Sequence, residues 1–478
     1  MRLNKQLTAA FGAFAVLGLL VLALFALLPD TYRQDNLPVT LSDRAQNAFE
    51  TGVFTNAGGS YTVQLKNGAY NCEELAGLPT SQQAFETLAQ QCTSLTAYGP
   101  VDLSHTTPAD YGFDTPTATA TVTYSDAGGI DIEVGAAVAG TSQYYIRVDK
   151  SSAIYRIEKD DIRYLLADQS AYLDLSLTPS GADENTLPTA ITLTQNDTTL
   201  SLKRLDSVAV DGMGLTYQYQ LQNDRGSYVD PDSYKTYFGE LPQLKALGVV
   251  TMNPTDLDLQ EYGLSQQSKT PPTVLSFTML GETVTLRIGN RSGDFYYLYR
   301  EGIPAIYRMD AFAATWDGVT EYALMSRYLM APLQSSLRAI TITSADASYQ
   351  FDLTQTPALF GDSTIAPSSM DAFYTLLCSL RAEYEMSEPA QNIPPDLSIT
   401  LVYDELSPPP AAEGGTAVQN DGQPPWRTDT IRFIPYGTKR YAIEINGTAQ
   451  YAVRSAYVAK LLAVLATLPN GTPVSPTW

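Results

Sequence analysis

The tetrapeptide Ala-Ile-Tyr-Arg occurs at 153–156 and again at 305–308, and it is the most legible part of an internal repeat covering most of this chain. A repeat constrains a fold more tightly than composition does, because every copy must bury its apolar face with the same pattern. Other features recur at nearly the same spacing. Tyr111-Gly112-Phe113-Asp114 matches Tyr262-Gly263-Leu264-Ser265, Val134-Gly135 matches Ile288-Gly289, and Tyr144-Tyr145 matches Tyr296-Tyr297. Ala190-Ile-Thr-Leu-Thr likewise matches Ala339-Ile-Thr-Ile-Thr. A third copy is worn. Tyr145, Tyr155, Ile157, Ile162, Leu165 and Leu166 align with Tyr441, Tyr451, Val453, Val458, Leu461 and Leu462, each pair 296 residues apart. The Tyr-Gly signature is absent there.

Inside a copy the hydrophobic period is readable. Ala118, Ala120, Val122 and Tyr124 alternate with threonine, which is a half-buried strand. Asp126-Ala-Gly-Gly129 supplies a turn, and Ile130, Ile132 and Val134 resume the alternation, so a hairpin is predicted. The second copy repeats this with Leu275, Phe277 and Met279, a turn at Gly281, then Val284, Leu286 and Ile288. The third has Leu397, Ile399, Leu401 and Tyr403, then Ile431 and Phe433. A short amphipathic helix is predicted after Ile154–Ile157, with Ile162, Leu165 and Leu166 on one face. Upstream of the hairpins, helices are predicted at about Ser81–Leu95, Asp232–Leu247 and Ser368–Tyr384, two of which share Ala-Phe-x-Thr-Leu at 84–88 and 372–376. The expected fold is therefore α+β: three tandem repeats with mostly antiparallel sheets.

With 478 residues there is room for about three domains. The expected boundaries are a cytoplasmic N-terminus and transmembrane anchor at 1–29, then repeats at 30–187, 188–336 and 337–478. The anchor is expected because Leu7 to Leu28 is an uncharged, almost wholly apolar run long enough to cross a bilayer as a helix. Arg2 and Lys5 precede it, so the positive-inside rule keeps the N-terminus cytoplasmic and places the rest outside. A cleaved signal peptide is the competing reading, but Leu27-Leu28-Pro29-Asp30 offers no small-x-small cleavage site.

The formal charge of −22 argues against nucleic acid, whose footprint is a basic patch, and suits an exposed, soluble ectodomain. Cys72 and Cys92 flank a predicted helix; a disulfide between them is permitted outside the cell but not required by their spacing. Cys378 is expected to be a buried small hydrophobe.

Chemistry-bearing patterns are sparse. One histidine, His105, and three scattered cysteines do not make a zinc site. Asp230-Pro-Asp232 and Asp256-Leu-Asp258 lack the glycine and terminal glutamate of a calcium loop and read as helix caps or turns. Gly212-Met-Gly214 is a loop pair without a phosphate-binding pattern, and Ser104-His105 has no orienting third group for nucleophilic catalysis. The counterpart of Asp114 in the second copy is Ser265, so no carboxylate recurs. Arg156 and Arg308 recur, but the third copy has Ala452, which favours a structural hydrogen bond or edge-strand charge over an anion site. The 31 tyrosines suit ligand contact where exposed, but those that repeat between copies fit cross-strand packing better. No catalytic, cofactor-binding or metal-binding residues are expected. One feature is not repeated: the third hairpin is interrupted at 404–429 by a Pro- and Gly-rich insert containing Trp426, which reads as a long mobile loop.

The order Tyr-Gly-Phe-Asp-x-Pro (111–116), alternating strands, Val134-Gly135, Tyr144-Tyr145-Ile-Arg-Val and Ile154-Tyr155 resembles the domain-of-unknown-function family numbered 4340. The second copy shows the same order from Tyr262 to Met309, with Ser265 in place of the aspartate. The resemblance implies a bacterial single-span envelope protein of the kind often encoded beside gliding-motility-type ABC transporters. It carries no activity and no site residues. The expected role is a membrane-anchored, extracytoplasmic, non-enzymatic accessory or scaffold, partnered by ABC transporter subunits. The alternative is a module binding cell-wall polymer or another extracellular ligand.

Overall fold

Alternating apolar residues settle into strands throughout the chain, and the strands form three sheets. The computed structural model describes residues 37–404, 416–418, 426–470 and 473–478, apart from 102, 127, 224, 225 and 391. The expected membrane anchor and most of the 404–429 insert lie outside these residues. Among the described residues no helix is long and apolar enough to cross a membrane.

The first sheet comprises β1 (Pro38–Asp43), β2 (Phe49–Asn56), β3 (Gly59–Lys66), β4 (Ala69–Cys72), β5 (Ser94–Tyr98), β6 (Ala118–Tyr124), β7 (Gly129–Ala137), β8 (Gln143–Val148) and β9 (Tyr155–Glu158), in the order β1-β5-β9-β8-β7-β6-β2-β3-β4. The second comprises β10 (Ala190–Gln195), β11 (Thr198–Val210), β12 (Thr216–Leu221), β13 (Gly248–Met252), β14 (Thr273–Met279), β15 (Glu282–Ser292), β16 (Phe295–Arg300) and β17 (Ala305–Asp310), in the order β12-β11-β10-β14-β15-β16-β17-β13. The third comprises β18 (Leu337–Ser344), β19 (Ser348–Asp352), β20 (Leu359–Phe360), β21 (Ser363–Thr364), β22 (Tyr384–Glu385), β23 (Leu397–Asp404), β24 (Thr416–Val418), β25 (Trp426–Pro435), β26 (Arg440–Ile445) and β27 (Thr448–Arg454). Its order is β21-β20-β19-β18-β23-β25-β26-β27-β22, with β24 paired to β25.

Set aside the edge strands β1 and β21 and the insert strand β24, and all three sheets have one topology. Numbered within a copy, the spatial order is 3-2-1-5-6-7-8-4 each time. A three-stranded meander pairs through its first strand with a four-stranded meander, whose last strand receives strand 4 at the far edge. Three sheets of one order are consistent with three copies.

The fold is mostly β with some α, so the α+β expectation overstates the helices. The first upstream helix, α1 (Gln82–Thr93), is close to its expected span and is capped by Ser81, whose side chain accepts from Ala84 N–H. A short α2 (Arg163–Leu166) follows β9. The helix expected at 232–247 is only α3 (Pro231–Phe238), followed by a 3₁₀ turn at Leu241–Gln243. Pro242 has no N–H to continue the helical ladder and its ring would meet the carbonyl one turn back. After α4 (Asp256–Glu261) and α5 (Glu321–Leu324), α6 (Pro367–Cys378) ends well before Tyr384. The residues beyond it are drawn out into β22, which pairs Tyr384 with Ala452 and Glu385 with Tyr451. The last helix is α7 (Ser455–Thr467).

The core lies on one face of each sheet. Ala118, Ala120, Val122 and Tyr124 are buried and the threonines between them point outward, as the alternation predicts. Phe85, Leu88 and Cys92 of α1 are fully buried, and the Phe85 ring stacks on Tyr172 with centroids 4.9 Å apart. Phe85 and Leu88 each contribute about 1.5–3 kcal/mol of transfer free energy.

The worn third copy keeps the strands but not the register. Tyr145 lies opposite Arg156 on β8 and β9, whereas its counterpart Tyr441 lies opposite Val453, one residue on from the counterpart of Arg156.

The chain divides into two compact units. The first ends at Leu175 and takes in Leu247–Pro254 and Gly302–Tyr307; the second is Ser176–Ala246, Thr255–Glu301 and Arg308–Trp478.

Candidate functional site

The repeated signature is built into the sheet. In the first copy, a 3₁₀ turn at Pro108–Tyr111 opens on a capping box in which Thr107 and Asp110 satisfy each other's backbone. In the second, Thr255 and Asp258 do the same at the start of α4. Both turns deliver a tyrosine and a left-handed glycine, Gly112 at φ 84° and Gly263 at φ 74°. A Cβ on Gly112 would lie 2.7 Å from the Ala136 nitrogen. The partner glycine on the strand is as constrained: a Cβ on Gly135 would collide with the Tyr111 carbonyl oxygen, and one on Gly289 with that of Tyr262. Both strand glycines sit where the pairing register shifts, between Val134 and Ala137 and between Ile288 and Arg291. The signature tyrosine then meets the strand tyrosine, Tyr111 against Tyr145 at 4.7 Å and Tyr262 against Tyr297 at 4.5 Å. The motif thus ties a loop onto the sheet.

The repeated arginines do not form a common site. Arg156 is half-buried opposite Tyr145, while Arg308 is exposed with its guanidinium carbon 5.6 Å from the Phe295 ring centre. Ser104 and His105 are exposed in a turn, and Asp114 is exposed with no recurring partner. Asp230 caps α3 by accepting from Ser233 N–H. The three cysteines are free, buried thiols, so Cys72 and Cys92 are not bridged here. Burial pushes the Cys72 thiol up to about 12, with Glu74 adding to the shift. Among the described residues no three His, Cys, Asp or Glu side chains are grouped as metal ligands would be.

Two clefts recur at one place in the architecture. In the first copy, Thr87 and Gln91 of α1, Leu95 of β5 and the turn residues Asp160, Asp161 and Arg163 line a cleft of about 350 Å³. In the third copy, Thr375 of α6, Ser379 and Glu383, with Arg454 at the end of β27, line one of about 440 Å³. Thr87, Gln91 and Leu95 each lie 288 residues before Thr375, Ser379 and Glu383. The helix and the residues 288 positions apart that follow it line both; the first is closed by the turn after the eighth strand, the third by Arg454, the last residue of that strand. Their chemistry has diverged. The first is polar, and burial followed by Glu158 and Asp160 pushes the Asp161 carboxyl above its usual range. The third adds Met213, Tyr328, Arg381 and Trp478. Glu383 accepts from Arg454 Nε at 2.7 Å and from its backbone N–H at 2.7 Å, so that arginine is neutralised. Arg381 instead donates to the Tyr328 hydroxyl and lies over its ring, 4.3 Å from the centroid. The Trp478 indole N–H donates to Ser379 Oγ at 2.9 Å.

Two buried polar clusters also separate the third copy's surroundings from the rest. The hairpin tip at Gly212–Gly214 is organised by buried Asp211, which accepts from Met213 N–H, Leu215 N–H and, at 2.6 Å, the Tyr217 hydroxyl. Gly212 N–H donates to the Ala331 carbonyl, beside the Tyr374 hydroxyl and the Pro332 carbonyl oxygen that a Cβ on Gly212 would strike. On β25, Asp429 lies opposite Leu401 on the core face. The corresponding pairs are Val122 with Ile130 and Phe277 with Val284, so a carboxyl has replaced an aliphatic side chain. Asp429 accepts from the Tyr403 hydroxyl and from Asn446 Nδ2 at 2.8 Å, with Arg427 Nε 3.5 Å away. Burial pushes its carboxyl up to about 6, against the pull of Asn446. Asp429 stands at the C-terminal end of the insert, and Trp426 is half-buried, opposite both Asp404 and Val418.

Neither the clefts nor Asp429 was legible as a site, since each depends on strand register. The capping boxes are readable as Thr-x-x-Asp before each Tyr-Gly; the cap expected at Asp256-Leu-Asp258 is the second of them, through Asp258, and the first, Thr107 with Asp110, was not picked out. A family model described as Domain of unknown function (DUF4340) matches residues 72–267 and 220–385. No curated protein and no solved structure matches the chain.

Proposed function

Because this chain belongs to the DUF4340 family, whose matches together run from residue 72 to residue 385, we propose that it is a non-catalytic scaffold of the cell envelope. In this reading residues 1–29 anchor the chain, residues 30–478 are extracytoplasmic, and repeats at 30–187, 188–336 and 337–478 serve as an accessory surface for an ABC-type export complex. One observation carries the scaffold reading. The residues that recur most faithfully, Tyr111, Gly112, Gly135 and Tyr145 with their counterparts Tyr262, Gly263, Gly289 and Tyr297, are spent on loop-to-sheet packing. Selection on a shared reaction would retain polar groups in one common setting, whereas the polar groups that recur are the Thr107–Asp110 and Thr255–Asp258 caps, which hold the same loop, and Arg156 and Arg308, which sit in different surroundings. Native membranes solubilised in mild detergent supply the test: affinity purification of the full chain is expected to bring down transporter subunits. Recovery of the chain alone overturns the proposal.

A second reading, cell-wall polymer binding, draws on one patch. Tyr297, Phe295 and Arg308 form a half-exposed aromatic and cationic strip on the second sheet, with Phe295 and Tyr297 edge-to-face at 5.3 Å. Sedimentation of residues 30–478 with purified wall material is its expected signature, and a chain that stays in the supernatant rules it out.

A further inference from the structure

The third copy's cleft differs from its first-copy counterpart in a way that specifies a ligand. We propose that it binds an amphipathic anion: one carboxylate or phosphate group joined to a flat apolar moiety. At about 440 Å³ the space is that of a small-ligand pocket. Its apolar walls are Met213 and the Trp478 indole, and the Thr375 and Ser379 hydroxyls lie beside them. The charge is supplied by Arg381. Arg454, its neighbour in the cleft, is neutralised by Glu383. Among the described residues no carboxylate lies within ion-pair distance of Arg381, in a chain of net charge −22. Its guanidinium is held in place by the Tyr328 ring and hydroxyl, and Tyr328 and Arg381 also share a backbone bridge. A fixed fork of donors beside an aromatic wall recognises a planar or tetrahedral oxyanion with little entropy left to lose. The first copy's cleft shares the helix side of this frame but sets Asp160 and Asp161 against the single cation Arg163, where the third sets Arg381 and Arg454 against the single anion Glu383. Architecture is shared and charge is reversed, which makes the chain its own control.

The probes are N-acetylphenylalanine, its uncharged amide, phenyl phosphate and inorganic phosphate, titrated calorimetrically into the full-length chain. A carboxylate source, such as a peptide end, is distinguished from a phosphate source by which of the first and third binds tighter. Saturable binding of at least one anion carrying a ring is expected, with the amide weaker by about tenfold or more, a difference of about 1.4 kcal/mol. Arg381→Gln is expected to lose binding by a similar factor, Arg381→Lys to lose less, and Arg163→Gln in the first-copy cleft to lose none. Trp478→Ala, which leaves Arg381 in place, is expected to weaken ring-bearing probes while leaving inorganic phosphate unchanged. Equal binding of amide and acid, binding that survives Arg381→Gln in a chain with an unchanged melting temperature, or no saturable binding by any probe overturns the proposal. Transporter co-purification is read separately, so either result stands without the other.

Discussion

Two glycines on neighbouring segments decide whether a signature loop can close on its sheet. Gly135 leaves room for the Tyr111 carbonyl and Gly112 takes a left-handed φ that L side chains resist, so neither tolerates a methyl group. Gly135→Ala is expected to cost about 2–4 kcal/mol, because the obstacle is backbone and must move. Gly302→Ala, at φ 83° with nothing near its missing Cβ, is expected to cost about 1 kcal/mol. Thermal unfolding of the two variants side by side checks the contrast, and equal losses contradict the close-approach account. That these glycines serve backbone geometry was legible from their recurrence. Which atom each one accommodates was not, since Tyr111 and Gly135 meet only after β6 and β7 have paired. Asp429 shows the opposite case. It is unremarkable in the sequence, and only its register opposite Leu401 reveals a carboxyl at a position the other copies fill with Ile130 and Val284.

Among elements, strands were the most legible and helix lengths the least. Period-two alternation placed β6, β7, β14 and β23 within a few residues, because a half-buried strand writes its two faces directly into the sequence. Helical periodicity ran on past α3 and α6, because Leu241, Leu244 and Leu380 are buried by turns and extended chain that happen to keep similar spacing. The hairpin of β11 and β12 is the element with the clearest mechanical role. Its tip presses Gly212 against Pro332 and Tyr374, and Asp211 holds the turn rigid from inside. Gly212→Ala is expected to lift the tip and raise amide hydrogen exchange in residues 211–215 and 331–332 at least tenfold, a local loss of about 1.4 kcal/mol or more. Exchange that stays confined to the substituted residue contradicts that role.

For the molecule as a whole, acidity makes pH a useful probe. The Asp429 carboxyl, pushed by burial to about 6, sits above the unfolded value of about 3.9, so the folded state holds this proton more tightly than the unfolded one. Its contribution to stability is fully present below about pH 3.9 and is lost as pH rises through about 6. Asp429→Asn is therefore expected to unfold at higher temperature than the parent at pH 8, by on the order of 1 kcal/mol, with the gap closing toward pH 4. The figure is kept low because the substitution also leaves Arg427 without its ionic neighbour. Denaturation midpoints from pH 4 to pH 8 check it, and a gap independent of pH contradicts the assignment. The sheet order has a further consequence, for the order of events as the chain is made. In each copy the fourth strand is made before the strand that finally flanks it, and Tyr98 must wait for Arg156. Until then β5 has only the older strand β1 beside it and α1 just before it. Yet among the described residues no copy's sheet borrows a strand from another copy, and the pairings that cross between copies are isolated bridges, Ser176 with Lys245 and Tyr328 with Arg381. A chain emerging N-terminus first closes one sheet before the next begins, and three moderate loop closures replace one prohibitive search. Copying a sheet whole gives a chain of this length the folding problem of a much shorter one.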